Sequence, residues 1–405
     1  MKKIEITKKQ ARRFILTHQN LLPPRTISGK QEILNFFQRI GCIQYDPLNI
    51  VGNNPELVLQ SRIKGFKPGI LEEMLYTDRT LVDDWDKMMA IYPVTDRPHF
   101  RYRQLEAAKR DRRRNADYTL AVIPEILQEI KERGPLSSID FDHDRKVAWS
   151  WGPTRLAKVA LDDMYYQGEL VIHHKLNTRK FYDLASRHIP AEILKAPDPH
   201  ETHEDYQDWH VHRRLRGLGL AWSRSGIWVW IHRTRTKERV AILERLVNRG
   251  EIAEVKIEEI RYPFFVSSMD LSTLEETGKM NEISHQAAII APLDNLMWDR
   301  ELIKILFGFN YRWEVYKPVK EREYGYYVLP VICGDRFIAR FEPGRDKNNG
   351  ALVIKNWWWE KDVELTQDIK NALKDCFNDF LDYLGTTRLK INKKLVDRED
   401  LNCLL

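Results

Sequence analysis

Apolar residues recur at helical spacing twice near the start of the chain. Ala11, Phe14 and Ile15 follow the phrase Thr7-Lys8-Lys9-Gln10, and Ile33, Leu34, Phe37 and Ile40 follow Ser28-Gly29-Lys30-Gln31. Both phrases have the capping-box form, in which a hydroxyl satisfies an orphan N–H of the first turn and a Glu or Gln reaches back. Two helices are predicted, the second closed by Gly41, which takes a left-handed conformation at no Cβ cost. Pro47 then disfavours helix, so Cys42 to Asp46 is predicted to be extended. Leu57 to Ile63 and Gly69 to Leu75 read as short helices, and Thr80 to Pro93 as a return strand or hairpin.

The order recurs. Val122 to Arg133 reads as helix, Pro153 opens another that runs to Gln167, and Glu169 to His174 with Lys180 to Leu184 forms a hairpin around Leu176-Asn177-Thr178-Arg179. A third, looser copy has helices near Tyr206 to Leu218 and Lys237 to Arg249, then strands at Ile252 to Ile260 and Phe264 to Ser267. Helix followed by basic hairpin is the winged-helix order. Beyond Ile289 the texture changes to short apolar strands, Tyr311 to Tyr316, Tyr324 to Cys333, Arg336 to Phe341 and Ala351 to Trp359, before helical periodicity returns over Asp362 to Tyr383. The predicted fold class is α+β. Three tandem winged-helix units (1–115, 116–198 and 199–285) precede a small antiparallel β-barrel-like part with a C-terminal helix (286–405).

Composition narrows the class. A chain of 405 residues, 43% hydrophobic and 31% charged, is expected to form several folded domains rather than a disordered chain. The net charge of +6 permits nucleic acid as a partner without requiring it. Cys42, Cys333, Cys376 and Cys403 show neither CxxC nor regular spacing, so no zinc ribbon or disulfide framework is expected and a reducing cytoplasm fits. No apolar leader and no run of about 18 apolar residues is present, so export and membrane insertion are not expected.

The candidate chemistry lies in Ile43-Gln44-Tyr45-Asp46-Pro47-Leu48. On an extended backbone, residues two apart share a face about 6.6 Å apart, so Gln44 and Asp46 would point together while Ile43 and Tyr45 turn inward. A neutral amide beside a carboxylate suits hydrolysis at a developing positive charge. The alternative is structural: a short polar pair after a helix also caps or turns the chain.

Gly41-Cys42-Ile43-Gln44-Tyr45-Asp46, with Asn49 and Leu59-Gln60-Ser61-Arg62 beyond, resembles the Gln-apolar-Asp segment of the AlkZ-like, YcaQ-type DNA glycosylases. The resemblance extends along nearly the whole chain. Trp149-Ser150-Trp151-Gly152-Pro153-Thr154-Arg155 is similar to the family's tryptophan-rich lead into its second winged helix. Ala291 to Arg300, Leu306-Phe307-Gly308-Phe309 and Tyr324 to Pro330 are similar to its C-terminal signature. The resemblance implies tandem winged helices with a β-barrel-like part, acting on double-stranded DNA that carries alkylated purines, and unhooking of interstrand crosslinks in the YcaQ-type branch. Asp46 would polarise a water or face the sugar cation, and Gln44 would hold the water or sugar in line. The expected enzyme is a monofunctional DNA N-glycosylase needing no cofactor or metal, a monomer in the cytoplasm, nucleoid-associated when bound to DNA.

Two departures bear on lesion preference. Where many members carry a His-Glu pair and an Arg-Ser-His phrase, this chain has Trp85-Asp86-Lys87-Met88-Met89 and Asn53-Asn54-Pro55. Lys87 is open to three readings: a phosphate contact, an amine nucleophile with lyase activity, or a solvated lysine. DNA contacts are expected from Asn49, Arg62, Lys87, Arg112, Arg113, Arg155, Arg179 and Lys180. The run Lys109 to Arg114 is either a phosphate track or a solvated helix face. His203, His210 and His212 with Glu201, Glu204 and Asp205 match no metal template, and Trp357-Trp358-Trp359 either stacks bases or divides between core and surface. The alternative functions are a non-catalytic winged-helix regulator and, third, a metal nuclease. Asp162 and Asp163 on the presumed second helix argue against a major-groove probe.

Overall fold

A computed structural model describes residues 4–114, 116–149, 152–226, 229–230 and 235–404, with side chains for all of these except 110–114 and 116–117. The chain divides into two compact units, one made of Met1–Leu71 with Gln207–Leu405 and the other of Glu72–Tyr206.

In the first unit the helix Lys8–His18 starts as expected, the Thr7 hydroxyl accepting from Gln10 N at 3.0 Å. The helix Gly29–Ile40 also starts on schedule, but Ser28 makes no side-chain cap bond, and Gln31 donates instead to Asn35 on the next turn. Gly41 closes this helix at φ +81°. The next helix, Asn54–Gln60, begins three residues before the expected Leu57. Asn53 and Glu56 form a reciprocal capping box there, with Pro55 in the first turn where its missing N–H costs nothing.

A four-stranded sheet runs in the order Ile4–Ile6, Ile252–Ile257, Phe264–Ser267, Leu220–Trp222. Its first pair is parallel, Ile4 opposite Val255, which joins the N-terminus to a strand some 250 positions away. Phe14, Ile15, Val255, Phe264, Leu302 and Phe337 meet in one buried core. A second sheet has five strands, Ala287–Ile289, Leu329–Cys333, Arg336–Arg345, Leu352–Trp359 and Leu389–Ile391, in chain order, and the last pair is parallel. Among the described residues it ends on two separate edge strands, so the barrel-like expectation gives way to an open sheet. The helix Gln367–Tyr383 follows, capped by Thr366.

Tyr311 to Tyr316 is not a strand. Glu314 is buried there, and its carboxylate accepts from Tyr324 N at 2.9 Å and pairs with Lys317, stitching the segment into a loop. Of the three tryptophans, Trp357 packs against Phe341 and Phe377 and meets the Trp359 ring at 5.1 Å, while Trp358 turns to Tyr324. That is the alternation a strand imposes.

The second unit carries the helices Arg101–Arg114, Ala116–Arg133 and Leu156–Tyr166 and the hairpins Leu81–Asp86/Met88–Pro93 and Leu170–Leu176/Arg179–Leu184. Ile126, Ile130, Leu161, Met164, Tyr165 and Ile172 form its core. Buried aspartates in this core are matched by phenols: Tyr182 donates to Asp162 and Tyr92 to Asp84, both at 2.9 Å. Asp162 and Asp163 are therefore interior groups, not groove-facing ones. The four cysteines are all free. Among the described residues no helix is long and apolar enough to cross a membrane.

Candidate functional site

The segment that carries Gln44 and Asp46 leaves the helix Gly29–Ile40 through Gly41 and forms only a short strand, Ile43–Gln44. Its backbone is gripped by side chains from far along the sequence. The Gly41 carbonyl accepts from Arg213 Nη2 at 2.8 Å, that of Cys42 from Asn295 Nδ2 at 3.0 Å, and that of Gln44 from Asn54 Nδ2 at 2.8 Å. Asn54, itself 2% exposed, also accepts from Leu293 N at 3.1 Å. Three of the four carbonyls from Gly41 to Gln44 are thus satisfied by side chains, without a long strand.

Gln44 and Asp46 are both half-buried. Asp46 lies past the strand end, and its Oδ1 accepts from Leu48 N at 2.9 Å, an Asx turn that fixes the carboxyl plane. Burial raises the Asp46 pKa above the ordinary aspartate value, the Leu48 N–H pulling the other way. Asn49 makes a longer local bond, its Oδ1 accepting from Gly52 N, three residues on, at 3.0 Å. The chain then enters the Asn53–Glu56 capping box.

Neighbouring groups complete the surroundings. Glu56 accepts from Asn53 N at 3.0 Å and from the Tyr383 hydroxyl at 3.4 Å. Buried Tyr327 has its phenol pKa pushed up, first by burial, then by Tyr311, Asp46 and Glu56. Asp46, Glu56, Tyr327 and Tyr383 therefore share one electrostatic neighbourhood. Sequence reasoning missed Asn54, Glu56, Tyr327 and Tyr383. Asn54 and Tyr327 lie in phrases the sequence singled out without a site role, and the spacing Asn53 to Glu56 is that of a capping box.

The remaining expected site residues are dispersed. Arg62 is a correction. Its guanidinium is 0% exposed and forks onto Asp294 at 2.8 and 2.7 Å, donating also to Gln19 O and Val58 O, so it has no surface to offer DNA. Lys87 sits at the turn of the hairpin Leu81–Asp86/Met88–Pro93, half-buried, with Met88 at φ +57°. Arg155 donates to Phe141 O at 3.1 Å. Arg179 is exposed, its guanidinium over the Phe181 ring, while Lys180 lies half-buried over the Tyr165 ring, its pKa lowered by burial. The Arg112 and Arg113 side chains, and Ser150 and Trp151 of the tryptophan-rich phrase, lie outside the described residues. The histidines go to separate tasks: His212 faces Ser267 and Glu251, His210 accepts from Arg214, and His203 stacks on Tyr102. Among the described residues no group of three or more His, Cys, Asp or Glu is arranged to hold a metal ion.

A half-buried carboxylate with a raised pKa, two residues along from a half-buried Gln44 on a backbone whose carbonyls are held by Arg213, Asn295 and Asn54, has the chemistry to stabilise a cation. The family described as DNA glycosylase AlkZ-like matches residues 37–383, and the chain belongs to it. It is accordingly a DNA glycosylase, an enzyme with DNA as substrate. The fold is similar to that of the Streptomyces sahachiroi DNA glycosylase AlkZ, at a TM-score of 0.60 and 14% identity over 96% of this chain and 100% of that one.

Proposed function

We propose that the chain is a monofunctional glycosylase that hydrolyses the bond between deoxyribose and N7-alkylated purines in double-stranded DNA, crosslinked purines included. An N7-alkylated purine already carries positive charge and leaves as a neutral base, so the enzyme needs chiefly to stabilise an oxocarbenium-like sugar and hold a water at C1′. Asp46 is the carboxylate for that work, and Gln44, uncharged at every pH, is the amide that holds water or sugar in line. The observation that carries this is the Asx turn, because it aims the Asp46 carboxyl rather than leaving it to rotate.

DNA is held through Asn49, Lys87, Arg112, Arg113, Arg155, Arg179 and Lys180, Arg62 being withdrawn for its burial. Three helix-then-hairpin passages support the winged-helix reading of 1–115, 116–198 and 199–285. They are Pro68–Tyr76 before Leu81–Pro93, Leu156–Tyr166 before Leu170–Leu184, and Thr236–Asn248 before Ile252–Ser267. The enzyme works as a monomer in the cytoplasm, on the nucleoid, without metal or cofactor.

The test incubates the protein, in EDTA, with DNA carrying N7-methylguanine or a nitrogen-mustard crosslink, and looks for free base and an intact abasic strand. Release in EDTA supports the reading. Strand cleavage at the abasic site would assign Lys87 or another amine a lyase role, and no release from either lesion would overturn the substrate assignment.

A further inference from the structure

The loop between Asp46 and the helix Asn54–Gln60 is seated on the far end of the unit's sequence. A Cβ placed on Gly52 would lie 1.8 Å from the Tyr383 hydroxyl oxygen, so that oxygen occupies the volume any other side chain would need. Gly52 also holds φ +125°, a conformation L side chains rarely adopt. Glycine is therefore required twice over, by backbone and by the phenol resting on it. The same hydroxyl lies 3.4 Å from Glu56 Oε2, and Glu56 in turn holds Asn53 N, one residue past Gly52.

Tyr383 is itself firmly placed. It is 6% exposed, its ring stacks on Phe66 with centroids 6.2 Å apart, and the neighbouring Asp382 is paired with Lys67 at 2.7 Å. Burial, then Glu56 and Tyr327, push its pKa well up, so the phenol keeps its proton and remains a donor to Glu56.

We infer that Tyr383 is a positioning residue for the reaction: resting on Gly52 and bonded to Glu56, its hydroxyl fixes the loop that presents Asp46. The inference rests on the reading of Asp46 given above. The physical ground is that small misplacements of a group acting on a transition state cost rate far more than they cost binding.

The experiment compares the full chain with Tyr383→Phe, Glu56→Gln and the double variant, using duplex DNA with N7-methylguanine. Phe keeps the ring and its stacking on Phe66 and removes only the oxygen. Each single variant is expected to lower the single-turnover rate of base release about tenfold. DNA affinity should stay within about twofold and the melting temperature close to the parent's. The double variant should be no slower than the worse single one, because both changes act on the same contact, Phe removing its donor and Gln the charge on its acceptor. A merely structural role would lower melting temperature and affinity together and would add in the double variant. Tyr383→Phe at the parental rate, or rate losses that multiply, overturns the inference. Asp46→Asn at the parental rate overturns instead the reading beneath it. Asp46→Asn inactive with Tyr383→Phe fully active overturns the positioning role alone.

Discussion

Arg62 and Asp294 form a two-pronged ion pair at zero exposure, 232 positions apart in sequence. Asp294 also accepts from Leu296 N at 2.9 Å, and its chain neighbours Leu293 and Asn295 are the residues that meet Asn54 and the Cys42 carbonyl. The pair thus anchors the Ala291 to Arg300 segment, whose Asn295 meets the Cys42 carbonyl just before the short strand Ile43–Gln44 and whose Leu293 meets Asn54 after it. Breaking it leaves one charge buried without a partner, at a cost of about 3–5 kcal/mol. Asp294→Asn or Arg62→Met is expected to lower the unfolding free energy, read from urea titration, by that order. The DNA affinity of whatever protein remains folded should not change.

Asp46→Asn keeps shape and hydrogen-bonding reach but removes charge. Base release should fall by about 100-fold or more while DNA affinity holds, measured by single-turnover kinetics and titration. The pH profile follows from burial. In the role proposed for Asp46 the carboxylate is the active form, and its folded pKa is raised, so the acid limb should lie above the ordinary aspartate value, with activity lost as pH falls through it. The stability term has the opposite sign: a raised carboxyl pKa penalises the fold as pH rises from the unfolded value through the folded one. Acid inactivation with unchanged circular dichroism is therefore the expected pattern.

Gly52→Ala must displace either the Tyr383 ring or the Asp46 loop, and it carries backbone strain as well. A loss of about 1–3 kcal/mol in unfolding free energy is expected. Activity should fall further than the unfolded fraction accounts for. Parental stability and rate would refute the tight seating.

Arg179 and Lys180 are adjacent yet should differ. Arg179 is exposed at the hairpin turn, and its change to Ala should weaken DNA binding and reduce the slope of log affinity against log salt by about 1. Lys180→Met should reduce that slope by less, since the ammonium is shared with the Tyr165 ring.

What the sequence made legible was local. Thr7 and Gly41 marked helix ends correctly because caps depend on a few adjacent residues. Both hairpins of the second unit, and the strand Phe264–Ser267, followed from alternation and turn residues. What stayed hidden was long-range. The pairing of Ile4–Ile6 with Ile252–Ile257 is a register between distant strands, and nothing in either three-to-six-residue run names its partner. Tyr311 to Tyr316 has strand composition, yet buried Glu314 takes the backbone N–H of Tyr324 and bends the chain. Arg62 resembled a phosphate contact because an arginine's charge is visible in sequence and its burial is not. At the site the Gln44/Asp46 spacing was readable, while the asparagines that hold its carbonyls were not.

The grip of Asn295 and Tyr383 on residues 41–53 has a consequence for how the enzyme is made. A ribosome delivers Asp46 well before the helix Gln367–Tyr383, and the unit that contains both is interrupted by Glu72–Tyr206. A nascent chain stalled before that helix has Asp46 in place but lacks the Tyr383 hydroxyl on which Gly52 rests, so the loop is seated only once that helix has been made.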